Sequence, residues 1–139
     1  MKSILSIIGI FLISVLAIHA QTTQPPTKIV FQMSSPDTLV HKSLMKQLNN
    51  ILSVAPQTKI KVVCHGPGIY VLVPDHSIAT QAIERLRLKG VEFIACEFSI
   101  EERKISSDKM LQGISYTKAG ILEVARLQDE QWRYIKSGF

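Results

Sequence analysis

From residue 28 onward the chain alternates short apolar runs with longer segments whose apolar residues recur every three or four positions. The runs have the length and composition of strands, and the segments between them have the period of amphipathic helices. Strands joined by helical crossovers pair in parallel, because a tight hairpin cannot return the chain in the same direction. The pattern predicts strands at 28–33, 59–65, 91–96, 114–117 and 132–136. The third of these, VEFIAC, is almost continuously apolar, as a strand covered on both faces requires. The expected fold is therefore a single α/β domain: about five strands, mainly parallel, with helices on both faces.

The helices are patterned with different clarity. Ser35-Pro36 reads as a cap followed by proline at the first helical position, ahead of a stripe of Val40, Leu44, Leu48, Ile51 and Leu52. His41 falls on the polar side of that stripe. Asp75 is expected to cap a second helix carrying Ile78, Ala79, Ala82, Ile83 and Leu86, with Gly90 just beyond its end. Ser99 and Glu102 have capping-box spacing, and a short helix is expected at 107–112. Ile121, Val124, Ala125 and Gln128 mark the last helix. The run 69–73, IYVLV, fits either a short strand or a buried turn.

The first twenty residues belong to a different kind of segment. Lys2 precedes an uncharged apolar run at 4–18, and Ile18-His19-Ala20 ends in a small residue suited to cleavage. Fifteen residues are fewer than the ~20 that span a bilayer comfortably. The reading is a signal peptide at 1–20, a Pro-containing polar leader at 21–27, a folded domain at 28–136 and a tail at 137–139. It places the mature protein in the periplasm or outside the cell, with no stable membrane insertion. Removing residues 1–20 takes away Lys2 alone among charged residues and lowers the formal net charge from +5 to +4. The remaining cations are scattered, so nothing resembles a nucleic-acid face. With 139 residues, 46% of them apolar, the chain fills one modest domain and not a multidomain enzyme.

Chemistry concentrates at two strand ends. Cys96 closes the third strand just before a helix start, where ligand sites gather in open α/β sheets. Helix amides and Arg103 or Lys104 would favour its thiolate, making it a nucleophile; the other reading is a buried small hydrophobe. Cys64, in VVCHG, is core packing, a resolving thiol or a disulfide partner for Cys96. The disulfide needs their strands to be neighbours. His65 stands before Gly66-Pro67-Gly68, where glycine amides can approach a small anion and the imidazole can act as acid, base or polar contact. Its alternative is a plain turn. Glu97 and Ser99 border the same end of the sheet and are candidate ligand contacts, Glu97 also having an ordinary capping role. Two cysteines without clustered histidines imply no metal site, and no HExxH, GxSxG or CxxC motif is present. No cofactor is expected.

KIVFQM, the Asn50-containing helix before a proline, VVCHGPGI at 62–69, GVEFIAC at 90–96 and AGILEVARLQDEQWRYIK at 119–136 together resemble the DsrE/DsrF-like family, in this order and spacing. The resemblance covers about residues 28–136. It implies a compact α/β domain that assembles with copies of itself. It also implies a cysteine that takes up sulfane sulfur as a persulfide and passes it to a thiol or persulfide-bearing partner. The family cysteine falls on Cys96, and its histidine-glycine loop on His65 and Gly66. Glu97-Phe98-Ser99-Ile100 departs from the family's usual continuation after that cysteine. A noncatalytic module on the same fold, binding a small ligand or another protein, is the other function class considered.

Overall fold

The computed structural model describes residues 26–138, so the expected signal peptide, its cleavage site and most of the leader lie outside the described residues. The elements run β1 (Lys28–Met33), α1 (Thr38–Val54), β2 (Lys59–Cys64), α2 (Thr80–Leu88), β3 (Glu92–Cys96), α3 (Glu97–Glu102), β4 (Ser115–Thr117), α4 (Gly120–Asp129) and β5 (Arg133–Lys136). The five strands form one sheet in the order β4-β3-β2-β1-β5. Every neighbouring pair is parallel, with Met33 opposite Cys64 and Cys64 opposite Ala95. The expected α/β architecture is what the chain adopts.

Apolar alternation sends each of the three central strands into two layers at once. On one face Phe31, Met33, Val62, Cys64, Phe93 and Ala95 meet α1 and α2 through Leu44, Leu48, Ile83 and Leu86. On the other, Val30, Val63 and Ile94 are covered by Val124 and Leu127 of α4, with Trp132 beside them. Each fully buried aliphatic or aromatic side chain contributes roughly 1.5–3 kcal/mol relative to exposure. Of the two readings of 69–73 the buried turn is the one adopted: residues 69–72 end a 3-10 segment, Gly66–Leu72, that buries Ile69, Val71 and Leu72.

Several local expectations are corrected. The cap of α1 is Asp37, not Ser35: Asp37 Oδ1 accepts the Leu39 N–H at 2.8 Å, while Ser35 Oγ accepts the Asp37 N–H. His41 is buried, 1% exposed, because its first-turn position faces the sheet; its Nε2 lies 2.8 Å from the Ser35 carbonyl oxygen. Asp75 sits in a separate 3-10 turn, Pro74–His76, and α2 starts after Ala79 with Ile78 exposed. The Ser99–Glu102 capping box does not form, since α3 already begins at Glu97 and Ser99 turns inward. The helix expected at 107–112 is one 3-10 turn, Ser107–Lys109. In α4 the buried stripe is Gly120, Val124 and Leu127, leaving Ile121 and Ala125 exposed.

Candidate functional site at the carboxyl end of the sheet

A strand returns to the same face every second residue. Val30, Val63 and Ile94 lie under α4, so two residues further along Gln32, His65 and Cys96 occupy that face at the carboxyl end of the sheet. α4 begins directly above them. A Cβ on its first residue, Gly120, would stand 2.9 Å from His65 Cβ and 3.1 Å from Cys96 Cβ. The missing side chain lets the helix end descend onto the sheet and brings its N–H within 3.2 Å of Cys96 Sγ. That N–H is one of the first four of a helix, which have no acceptor inside it, and the helix dipole adds partial positive charge there. Both effects favour negative charge on the sulfur.

A strap of three residues closes over Cys96, which is 5% exposed. The Lys118 carbonyl accepts the Phe98 N–H at 3.2 Å and faces Cys96 Sγ at 3.8 Å. Outside the strap, Lys118 Nζ pairs with Glu101 at 2.7 Å and Glu97 at 3.5 Å, and lies 4.9 Å from the centre of the Phe98 ring. Glu97 thus forms part of the outer lip. Lys118 is the cation at this end of α3. Arg103 pairs with Glu102, and with Lys104 it lines a cleft of about 310 Å³ shared with Tyr70, Asp75 and His76.

The His65 loop is fixed from within. Gly66 has φ +52°, the left-handed region that favours glycine, and its N–H donates to the buried Ser99 Oγ at 2.8 Å. Gly68 packs so closely on β1 that a Cβ would meet the Met33 carbonyl oxygen at 2.4 Å, and its N–H donates to the Ser34 carbonyl. Both glycine amides therefore bind protein oxygens, and Ser99 serves as the bolt joining α3 to this loop. The imidazole of His65 lies beside Gln32, Nε2 to Nε2 at 2.7 Å, and the Tyr134 hydroxyl donates to Gln32 Oε1. Burial holds His65 below imidazole's usual pKa.

Cys64 is placed differently. It lies opposite Ala95 in register, one residue short of Cys96, so the two cysteines project to opposite faces of the sheet. Their strands are neighbours, yet both thiols are free. Burial among apolar side chains pushes the Cys64 thiol far above its ordinary pKa.

Sequence reasoning passed over Gly120, Lys118 and Gln32, and reads Tyr134 on the last strand as a packing or subunit contact, not as part of the site. Gln32 alone carried a local signal, as the one polar residue within the otherwise apolar stretch Ile29–Met33. Among the described residues no three His, Cys, Asp or Glu side chains group as metal ligands, and no helix is long and apolar enough to cross a membrane.

Comparison with known proteins gives likenesses to a family and to solved structures. The family model described as the DsrE/DsrF-like family matches residues 27–137. A solved structure of a protein of unknown function, MTH1491, from Methanobacterium thermoautotrophicum is similar at 26% identity with a TM-score of 0.75, over 79% of this chain and 98% of that one. No curated protein matches the chain.

Proposed function

The chain belongs to the DsrE/DsrF-like family, and on that premise we propose that it binds or relays sulfane sulfur as a persulfide on Cys96. The observation that carries this reading is the Gly120 N–H at the start of α4, 3.2 Å from Cys96 Sγ. A sulfur held against a helix N-terminal donor is stabilised when it carries negative charge, as a thiolate or a deprotonated persulfide does. His65 stands next to it as a polar contact, with Glu97 at the lip and Ser99 holding the loop. The reading calls on no metal, cofactor or nucleic acid.

The protein acts after export, its signal peptide removed near Ala20. Lys2, the uncharged run at 4–18 and the polar segment 21–27 support this. Its partners are a thiol or persulfide-bearing molecule and other copies of itself. Exposed Phe98, Ile121, Leu122, Tyr134 and Ile135 on α3, α4 and β5 favour self-association.

One observation favours the noncatalytic module instead: Cys96 is only 5% exposed beneath its strap. Intact-mass analysis after treatment with a small alkyl persulfide, with and without reductant, separates the two. Sulfur loading adds a reductant-sensitive 32 Da, about one sulfur atom, located at Cys96 by peptide mapping. An unmodified protein, or an adduct located at Cys64, defeats the persulfide reading.

A further inference from the structure

Gln32 interrupts an apolar strand with a side chain that bridges two others. The Tyr134 hydroxyl on β5 donates to its Oε1, and its amide nitrogen lies 2.7 Å from His65 Nε2. An amide nitrogen offers only N–H donors, so the imidazole nitrogen facing it must present a lone pair. The ring proton then resides on Nδ1, which no described residue binds. Burial acts in the same sense by disfavouring the imidazolium.

We propose that Gln32 and Tyr134 are positioning residues that fix His65 as its neutral Nδ1–H tautomer, so that the ring offers the Cys96 site a hydrogen-bond donor and not a base. The role in sulfur transfer rests on the persulfide reading; the tautomer does not. In the transfer step the Cys96 thiolate attacks the outer sulfur of a donor R–S–SH. A Cys96 S–S bond forms, the donor S–S bond breaks, and its electron pair departs on R–S⁻. The outer sulfur keeps its proton, so the products are Cys96–S–SH and R–S⁻ with no added oxidant or reductant. Negative charge moves from one sulfur to another, a change that a neutral Nδ1–H ring can assist by donation alone, with no proton transferred. The titratable neighbours at this end of the face are Cys96 from β3 and Tyr134 and Lys136 from β5, Lys136 standing opposite Gln32 in register, while Lys118, Glu97 and Glu101 pair with one another at the lip.

The test is ¹⁵N NMR of the histidine rings in the full-length mature protein, combined with the rate of persulfide capture from a small alkyl persulfide. Wild type is expected to show His65 protonated at Nδ1. Gln32→Glu replaces the donor by a carboxylate of the same shape, which accepts only. It is expected to move the proton to Nε2, raise the pH at which the ring titrates and slow capture about tenfold, the scale of one charge-assisted hydrogen bond. Tyr134→Phe frees the amide to rotate and is expected to give a mixture of tautomers. An Nε2–H ring in wild type overturns the inference, and so does normal capture by Gln32→Glu with the tautomer reversed. A wild-type ring protonated at Nδ1 in a protein that never captures sulfur leaves the tautomer standing and defeats the persulfide reading alone.

Discussion

Gly120→Ala tests the site at its tightest point. The added methyl would lie 2.9 Å from His65 Cβ, 3.1 Å from Cys96 Cβ and 3.4 Å from Val63 Cγ1, where carbon atoms in good contact stand about 3.5–4.0 Å apart. Neither Cβ can rotate away, because each is fixed by the backbone of its strand or loop. The start of α4 must therefore lift by several tenths of an ångström. Overpacking of this kind costs about 1–3 kcal/mol, offset by up to about 1 kcal/mol of helix propensity gained on replacing glycine. The expected net loss is about 1–2 kcal/mol, a fall in Tm of roughly 4–15 °C for a domain of this size. Lifting the helix also weakens the N–H contact to Cys96 Sγ, now 3.2 Å. With that donor drawn back, a charged sulfur at Cys96 is held less well, and its alkylation by iodoacetamide is expected to be slower than in a variant that loosens the same helix without touching this contact. The assays are thermal unfolding and peptide-mapped alkylation of Cys96, with Leu127→Ala as a control. That control removes buried volume further along α4 and destabilises by about 2–5 kcal/mol, so it calibrates how far a loosened α4 by itself speeds access to Cys96. An unchanged Tm would refute the packing argument. Alkylation of Gly120→Ala as fast as that of Leu127→Ala, compared at equal distance below each Tm, would refute the role of the helix amide.

Replacing Cys96 with Ser is expected to abolish persulfide capture with little change in fold, whereas Cys64→Ala should retain capture; peptide mass spectrometry after donor treatment checks both. Cys64, fully buried, should react with a thiol reagent only at the rate of global unfolding, so denaturant must accelerate its labelling far more than that of Cys96. The depressed pKa of His65 means that the unfolded chain binds the proton more readily. This contribution to stability is complete above the ordinary value of 6.5 and is lost as pH falls from there through the lower folded value; His65→Asn should flatten that part of a denaturation-versus-pH series. N-terminal peptide mapping of the cell-envelope fraction should recover a peptide beginning near Gln21, and light scattering over a concentration range should show a species larger than one chain.

The strand pattern was legible because the sheet is covered on both sides. β1 was bounded correctly, and the other strands were trimmed by one residue, since KIVFQM, KIKVVC and EFIAC cannot be mistaken for a helical stripe. Helix starts were less legible because they depend on which of several polar side chains reaches an amide: Asp37 prevails over Ser35, and Ser99 binds the Gly66 N–H instead of capping α3. His41 was misread because one turn of helix decides between core and solvent, and its bond to the Ser35 carbonyl lies outside any local pattern. Cys96 and His65 were visible as strand-end residues. Gly120 was not, because its part in the site comes from the crossover that returns α4 over the sheet, twenty-four residues after Cys96 in sequence. Gln32 and Tyr134 meet across 102 residues, a distance that only strand order can bridge.

The two layers covering the sheet are unequal. α1, α2 and the 3-10 segment bury the greater part of the apolar side chains, while α4 joins the sheet through a patch of five buried residues, two of them its own. Fluctuations that open part of a native protein draw on its least buried elements. α4 and β5 should therefore detach as a cooperative unit while the other layer stays folded, and their amides should exchange with deuterium ahead of those of α1 and α2. Such an excursion would uncover Cys96 for an instant and leave Cys64 in the dark, so the protein's own breathing sets how often the outer world meets one sulfur and not the other.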